Sequence, residues 1–261
     1  MYSLKDKIVF ITGASSGIGA SCAARFAHEG AKLLLAARRN DRLNELAEKL
    51  QKKYSIEVHT VQLDVRKRGE VESALSALPE RWKGISVLVN NAGLASGLSV
   101  IQDGDVDDWE KMIDTNIKGL LYVTRAIAKG MIGRKEGHII NIGSIAGFQF
   151  YPNGNVYCAT KAAVNALTNT MRMDFHGTGV RVSTVDPGLV ETEFSIVRFH
   201  GDKSRADKTY EGMTPLTPDD IADAVHYCAT RPPHVNIQQV VLTPTDQAST
   251  TMVHRRKELQ K

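Results

Sequence analysis

Seven short, mostly apolar runs are spaced along the chain, at 8–12, 32–37, 57–63, 85–89, 138–143, 180–185 and 239–242. Several stop at Gly, Asn or Asp, as buried strands do. Helical spacing of apolar residues fills 20–29, the stretch from Leu43 to Leu50, 71–78, 106–133, 155–175 and 219–230. Strands that are apolar on both faces need cover on both faces, and strands joined by helices run parallel. The expected fold is one α/β domain over 1–261: a doubly wound, seven-stranded parallel sheet with helices on each face. No linker, repeat or low-complexity segment divides it. Two stretches stand apart: 191–213 is polar and irregular, and 247–261 is basic. The first is expected to act as a lid, the second as an exposed tail. In such a sheet a ligand lies at the carboxyl ends of the strands, where Gly13, Asp64, Asn90, Ser144 and Pro187 fall.

The first strand leads into Thr12-Gly-Ala-Ser-Ser-Gly-Ile-Gly19, whose glycines are Gly13, Gly17 and Gly19. Glycines let a backbone turn tightly and approach a pyrophosphate, whose charge a helix N-terminus favours. Ser15, Ser16 and Ile18 belong to the same turn. A tight turn with no ligand is the alternative. At the end of the second strand, an NAD site offers an acid about 20 residues past the turn. Here that place holds Arg38 and Arg39, with Asp41 displaced beyond them. Two guanidiniums there would hold a 2′-phosphate by charge-assisted hydrogen bonds. Their other reading is a pair of solvated arginines closing a strand. Asp64, followed by Val65, can accept from an adenine amino group or cap the next helix.

Tyr157 and Lys161 are four residues apart, so on a helix they share a face. A phenol has a pKa near 10, and lowering it by roughly 3 units takes about 4 kcal/mol. A cation at roughly 4 Å, at an effective dielectric of about 20, supplies on the order of 4 kcal/mol. One lysine can therefore make a tyrosine a usable acid or base, although the same spacing also occurs on ordinary helix faces. Ser144 lies thirteen positions upstream, just past the fifth strand.

Together, Thr12 to Gly19, Asn90-Asn-Ala-Gly93, Asn116, Ser144, Tyr157-x-x-x-Lys161 and Asp186-Pro-Gly188 resemble the short-chain dehydrogenase/reductases across essentially the whole chain. That resemblance implies a Rossmann fold and an oxidoreductase. Gly143-Ser-Ile-Ala-Gly147, Pro187-Gly-Leu-Val-Glu-Thr-Glu-Phe-Ser195 and Val197-Arg-Phe-His-Gly201 are similar to the NADP-dependent 3-hydroxy acid dehydrogenase branch. This branch includes serine and L-allo-threonine dehydrogenases and malonic semialdehyde reductases. The implied roles are as follows. Tyr157 is the proton donor in reduction and the base in oxidation. Lys161 lowers its pKa and holds the nicotinamide ribose, and Ser144 holds the substrate oxygen. Asn116 holds a water that links Lys161 to solvent. Asn91, Ala92 and Gly93 line the adenine-ribose side, and Pro187, Gly188, Val190 and Thr192 line the carboxamide side. The implied cofactor is NADP(H), the hydride chemistry is the cofactor's own, and the implied assembly is a homotetramer.

A substrate acid needs a cation facing the pocket. Arg198 in the 191–213 segment is the first candidate, with Arg205 and Lys203 as alternatives. Phe148, Phe150 and Tyr151 follow Ser144 and read either as an apolar wall or as core. The net charge of +4 is mild and scattered, which gives no reason to expect a nucleic-acid partner. Three cysteines in distant positions fit neither a disulfide framework nor a zinc site, and suit a reducing compartment. Cys158, next to the tyrosine, reads as packing. The eight histidines show no metal spacing, so no metal is expected. No secretory, membrane-spanning, lipidation or retention signal is visible, so the expected location is the cytoplasm. The runner-up functions are a broader aldehyde/ketone reductase and a dinucleotide sensor without turnover. A sugar-nucleotide epimerase would need a second domain that this chain has no room for.

Overall fold

The computed structural model describes residues 2–256. Its strands are β1 (Ile8–Thr12), β2 (Lys32–Ala37), β3 (Val58–Gln62), β4 (Ile85–Asn90), β5 (Gly137–Ile142), β6 (Val180–Pro187) and β7 (Gln239–Leu242). All pair in parallel, in the order β3-β2-β1-β4-β5-β6-β7. The central strands β1, β4 and β5 are almost wholly buried, whereas the edge strand β3 (Val-His-Thr-Val-Gln) is half-exposed. Hydrophobic continuity thus tracks each strand's depth in the sheet.

The helices are α1 (Gly17–His28), α2 (Asn40–Tyr54), α3 (Arg68–Ser76), α4 (Val106–Ile113), α5 (Leu120–Arg134), α6 (Asn155–Asp174), α7 (Phe194–Arg198), α8 (Lys203–Lys208) and α9 (Pro218–Ala229). Successive strand side chains point to opposite faces. Val9 and Ile11 of β1 therefore join one core, with Phe26 of α1, Leu43 of α2 and Val225 of α9. Phe10 joins the other, with Val71 of α3, Val123 of α5 and Val164 of α6. Fully burying a side chain such as Phe10 or Phe26 contributes about 1.5–3 kcal/mol each. The Thr217–Asp220 capping box, with Pro218 at the first position, sets the start of α9.

Two expectations need correction. The helix expected over 106–133 is two α-helices, joined by a π-helical segment at Asp114–Gly119. Asn116 in that segment is bonded to the Leu94 backbone and to Thr160, and Gly119 leaves no room for a Cβ against Val65. Residue types give no sign of such an insertion, because a single π turn barely disturbs the apolar period. The second concerns the tail, which is largely exposed as expected but is also tied down up to residue 256; residues 257–261 lie outside the described part. Gln247 is buried and its side chain accepts from the Leu189 N–H at 2.8 Å. Arg256 N–H bonds Gly212 O at 2.7 Å, and Arg255 bonds Glu211 O. The segment therefore acts as a strap beside the lid, with Gln247, Thr250, Val253 and Arg255 lining the same cavity.

Candidate active site

The order of strands reverses beside β1, where β4 rather than β3 is the next neighbour after β2. A crevice opens there, outside the strand ends. It holds a cavity of about 610 Å³.

One end of the cavity is built by the glycine turn. Gly13 and Gly17 have φ of +65° and +53°, the left-handed region that suits glycine. The Thr12 hydroxyl accepts from the Asn91 and Ala92 N–H groups at 3.1 and 3.0 Å. The Asn91 amide donates to Thr12 O and Gly13 O at 2.9 and 3.1 Å. The turn is thus stitched to the segment after β4. A Cβ on Gly19 would lie 2.5 Å from both the Asn91 amide nitrogen and Gly13 O, so only glycine fits. Ser15, Ser16, Ile18, Arg38, Arg39, Val65, Ala92 and Gly93 line this end, with Gly13, Gly17 and Asn91; Gly19 lies behind the turn.

Arg39 donates to Ser16 Oγ at 2.6 Å and to Ser15 Oγ at 3.3 Å. Asp64 also lines the cavity, but it does not cap the next helix. The helix that follows starts at Arg68 without a side-chain cap. Asp64 is instead gripped by Arg66, whose Nη2 lies 2.5 Å from Oδ2 and whose N–H bonds Oδ1 at 3.1 Å. That pairing holds the Asp64 carboxyl below its ordinary range. Arg66 was missed because its partner is set by chain reversal after β3, which residue types do not reveal.

The other end gathers Ser144, Tyr157 and Lys161 with Pro187, Gly188, Val190 and Thr192. Ser144 follows β5, with its N–H held by Asp186 Oδ1 at 3.0 Å. Its hydroxyl accepts from Ala146 N–H at 3.1 Å and donates weakly to Pro187 O at 3.4 Å. Asp186 is itself buried and takes bonds from Thr184 and Gln239 at 2.9 and 2.8 Å. It fixes Ser144 from behind, a role the motif Asp186-Pro-Gly188 carried without revealing.

Tyr157 and Lys161 share one face of α6, with Nζ 5.9 Å from the ring centroid. Lys161 is 7% exposed, donates to Ile142 O at 2.9 Å, and is pushed by burial down to about 8. Burial raises the Tyr157 phenol above its ordinary value. The first influence opposing this is the Arg198 guanidinium, 4.9 Å from the ring centroid, and the Ser144 hydroxyl acts the same way. The expected picture of Lys161 alone tuning the phenol is therefore corrected. Two cations flank the ring, and at neutral pH the ring keeps its proton.

Asn116 sits behind Lys161 and outside the cavity lining. Its amide donates to Leu94 O at 2.8 Å and to Thr160 Oγ1 at 3.0 Å, and accepts from Leu94 N–H at 2.9 Å. Only one lone pair of its Oδ1 is left over.

The lid, α7 and α8, closes this end. Arg198 donates to the Tyr151 hydroxyl at 2.9 Å and lies 5.1 Å from the Phe194 ring, which meets the Tyr157 ring at 5.6 Å. Of the three cations weighed from sequence, Arg198 is the one in the main cavity. Arg205 covers Phe199 at 4.5 Å and faces a neighbouring cleft, and Lys203 lines neither. Tyr151 lines the cavity, but Phe148 and Phe150 are exposed, so they form neither wall nor core.

Four lid contacts escaped sequence reading. His200 meets the buried Asp108 of α4 at 3.0 Å, and Gly97 N–H bonds Arg198 O at 2.9 Å. Glu193 meets Arg39 at 2.8 Å and Arg42 at 2.7 Å. All three cysteines are buried and unpaired. Among the described residues no cluster of three His, Cys, Asp or Glu could hold a metal, and no helix is long and apolar enough to cross a membrane.

Comparison with known proteins follows the same line. The family model for short chain dehydrogenases matches residues 7–202. The chain is 51% identical over 250 residues to the NADP-dependent 3-hydroxy acid dehydrogenase of Salmonella typhi, covering 95% of this chain and 99% of that protein. It is 48% identical over 242 residues to sulfoacetaldehyde reductase 2 of Chromohalobacter salexigens, covering 92% and 95%. Among solved structures, it matches the closed form of a serine dehydrogenase complexed with NADP+ at a TM-score of 0.89 and 47% identity, covering 96% of this chain and 100% of that one.

Proposed function

Since this chain belongs to the short-chain dehydrogenase family, we propose that it is an NADP(H)-dependent oxidoreductase acting on small 3-hydroxy acids and the matching 3-oxo acids or semialdehydes. The observation that carries the reading is the Tyr157 phenol in the cavity, set beside Ser144 and two cations. The residues at the adenosine end fit the cofactor: a turn too tight for side chains lies beside arginines and serine hydroxyls. When bound, the nicotinamide supplies or accepts the hydride. Everything else is the chain's own work.

In reduction, the Ser144 hydroxyl bonds the substrate carbonyl oxygen, and the Tyr157 phenol gives that oxygen its proton. The phenolate left behind is stabilised by Lys161 and Arg198. In oxidation the same phenolate takes the proton back. Burial keeps Tyr157 protonated beforehand, which suits a proton donor. Lys161 would also hold the nicotinamide ribose. Asn116 anchors the Leu94 loop and Thr160 around Lys161, leaving one lone pair of Oδ1 for a water in the relay. Asn91, Ala92 and Gly93 would border the adenine-ribose, and Pro187, Gly188, Val190 and Thr192 the carboxamide. Arg198 receives the substrate carboxylate, since its guanidinium is the cation nearest the reacting phenol. The relatives named for 3-hydroxy acids and for a sulfonate-bearing aldehyde fit a pocket that selects an anionic tail.

The protein works in the cytoplasm as a homotetramer. Its buried free thiols suit a reducing compartment. Exposed Leu121 on α5 and Met173 on α6, 36% and 73% exposed, offer apolar surface for subunit contact.

The test is NADPH consumption with malonic semialdehyde and with neutral aldehydes, in wild type and Arg198→Met. The variant should raise KM for the acid by on the order of tenfold or more, as loss of a charge-assisted bond does, and leave KM for neutral aldehydes nearly unchanged, while kcat falls on both sets because the phenolate loses one of its two cations. Equal rises in KM on both sets would make it a broader carbonyl reductase. NADPH binding without oxidation across the panel would make it a sensor.

A further inference from the structure

Of the two arginines expected to hold a 2′-phosphate, Arg39 is not free. Arg39 gives Nη2 to Ser16 and Nε to Ser15, at 2.6 and 3.3 Å, and its Nη1 is taken by Glu193 at 2.8 Å. The other oxygen of the same carboxylate is held by Arg42 Nη1 at 2.7 Å. An anion bridging two guanidiniums beside two hydroxyls is the pattern a phosphate monoester would make. Here the chain's own carboxylate supplies it.

Glu193 is also placed to report on that contact. It precedes Phe194, whose ring meets Tyr157 at 5.6 Å, and follows Thr192, whose methyl lies 3.4 Å from where a Gly17 Cβ would stand. The pair of arginines holds its carboxyl far down, to about 2, so it carries full charge at every working pH.

We propose that Glu193 is an internal competitor for the 2′-phosphate, displaced from Arg39 when NADP(H) binds and returning when it leaves. The inference rests on the NADP reading above. A phosphate carries about −1.5 to −2 charge at neutral pH against −1 for a carboxylate, so the ligand wins the exchange, but by less than it would over an empty site. NAD(H), which lacks the phosphate, leaves Glu193 where it is. Glu193 therefore tunes cofactor affinity and hastens cofactor release, at no cost to the binding of the rest of the dinucleotide.

The experiment is titration calorimetry with NADP+ and NAD+ on wild type, Glu193→Gln and Glu193→Asp. Glu193→Gln should bind NADP+ about three- to tenfold tighter, the scale set by two exposed ion pairs. NAD+ affinity should change less than about twofold on the same scale. Glu193→Asp, too short to bridge both arginines, should fall between wild type and Glu193→Gln, which guards against a folding fault in either variant. If NADP+ binds both variants as wild type does, or more weakly, Glu193 is a bystander or an aid to Arg39 and the proposal is overturned. A wild type that shows no preference for NADP+ over NAD+ would instead sink the cofactor reading, and this proposal with it.

Discussion

Lys161 shows how one buried amine shapes both chemistry and stability. Burial holds its pKa at about 8 against 10.5 for the free side chain. The folded protein therefore binds this proton less tightly than the unfolded chain does. Where the unfolded state binds more protons, stability rises with pH, so this penalty is full below pH 8 and fades as pH climbs from 8 to 10.5. Lys161→Met should accordingly gain stability over wild type at pH 7, by at most roughly 3 kcal/mol, with the gain shrinking towards pH 10.5. Denaturant unfolding at both pH values checks this, and a pH-independent difference would contradict it. The Tyr157–Lys161 pair was legible because helical spacing alone puts i and i+4 on one face. The part of Arg198 over the Tyr157 ring was not: it comes from a segment forty positions on, brought back by a lid whose path no local pattern encodes.

The lid is fixed at two ends, by Glu193 on Arg39 and Arg42 and by His200 on Asp108. Asp108 is 3% exposed and also takes bonds from Ser96 and Lys111 at 2.7 and 3.2 Å. Asp108→Asn keeps an acceptor for Ser96 but loses the charge that holds His200. Because the Arg198 carbonyl is tied to Gly97 close by, loosening this end should blur the position of Arg198. The expected outcome in steady-state kinetics is a KM for the hydroxy acid raised about three- to tenfold, the scale of a partly buried ion pair, with NADP+ affinity unchanged. An unchanged KM would show that the clip does not position Arg198. At this scale the strands, the glycine turn and the existence of a lid could be read from apolar runs and polar composition. The π turn around Asn116 and the strap formed by 247–256 could not. The first adds a residue without breaking the apolar period, and the second is held by backbone bonds such as Arg256 N–H to Gly212 O between distant segments.

At the scale of the molecule, reversal of strand order beside β1 brings the glycine turn, the arginines after β2 and the Tyr157–Lys161 face of α6 to one crevice. That convergence was foreseeable, since alternating strands and helices admit little else. Assembly was not, since it depends on which apolar residues stay outside. Sedimentation should give four copies for the wild type, and Leu121→Glu with Met173→Glu should shift it to smaller species, since charge at an apolar contact is strongly unfavourable. An unchanged sedimentation coefficient would place the contact elsewhere. The most direct measurement of the mechanism itself is NADPH oxidation by malonic semialdehyde in wild type and Tyr157→Phe, with NADPH binding followed by fluorescence in the same samples. The proposed proton transfer predicts a loss of turnover of about 10²–10⁴-fold with binding retained. Turnover near the wild-type rate in the phenylalanine variant would contradict it.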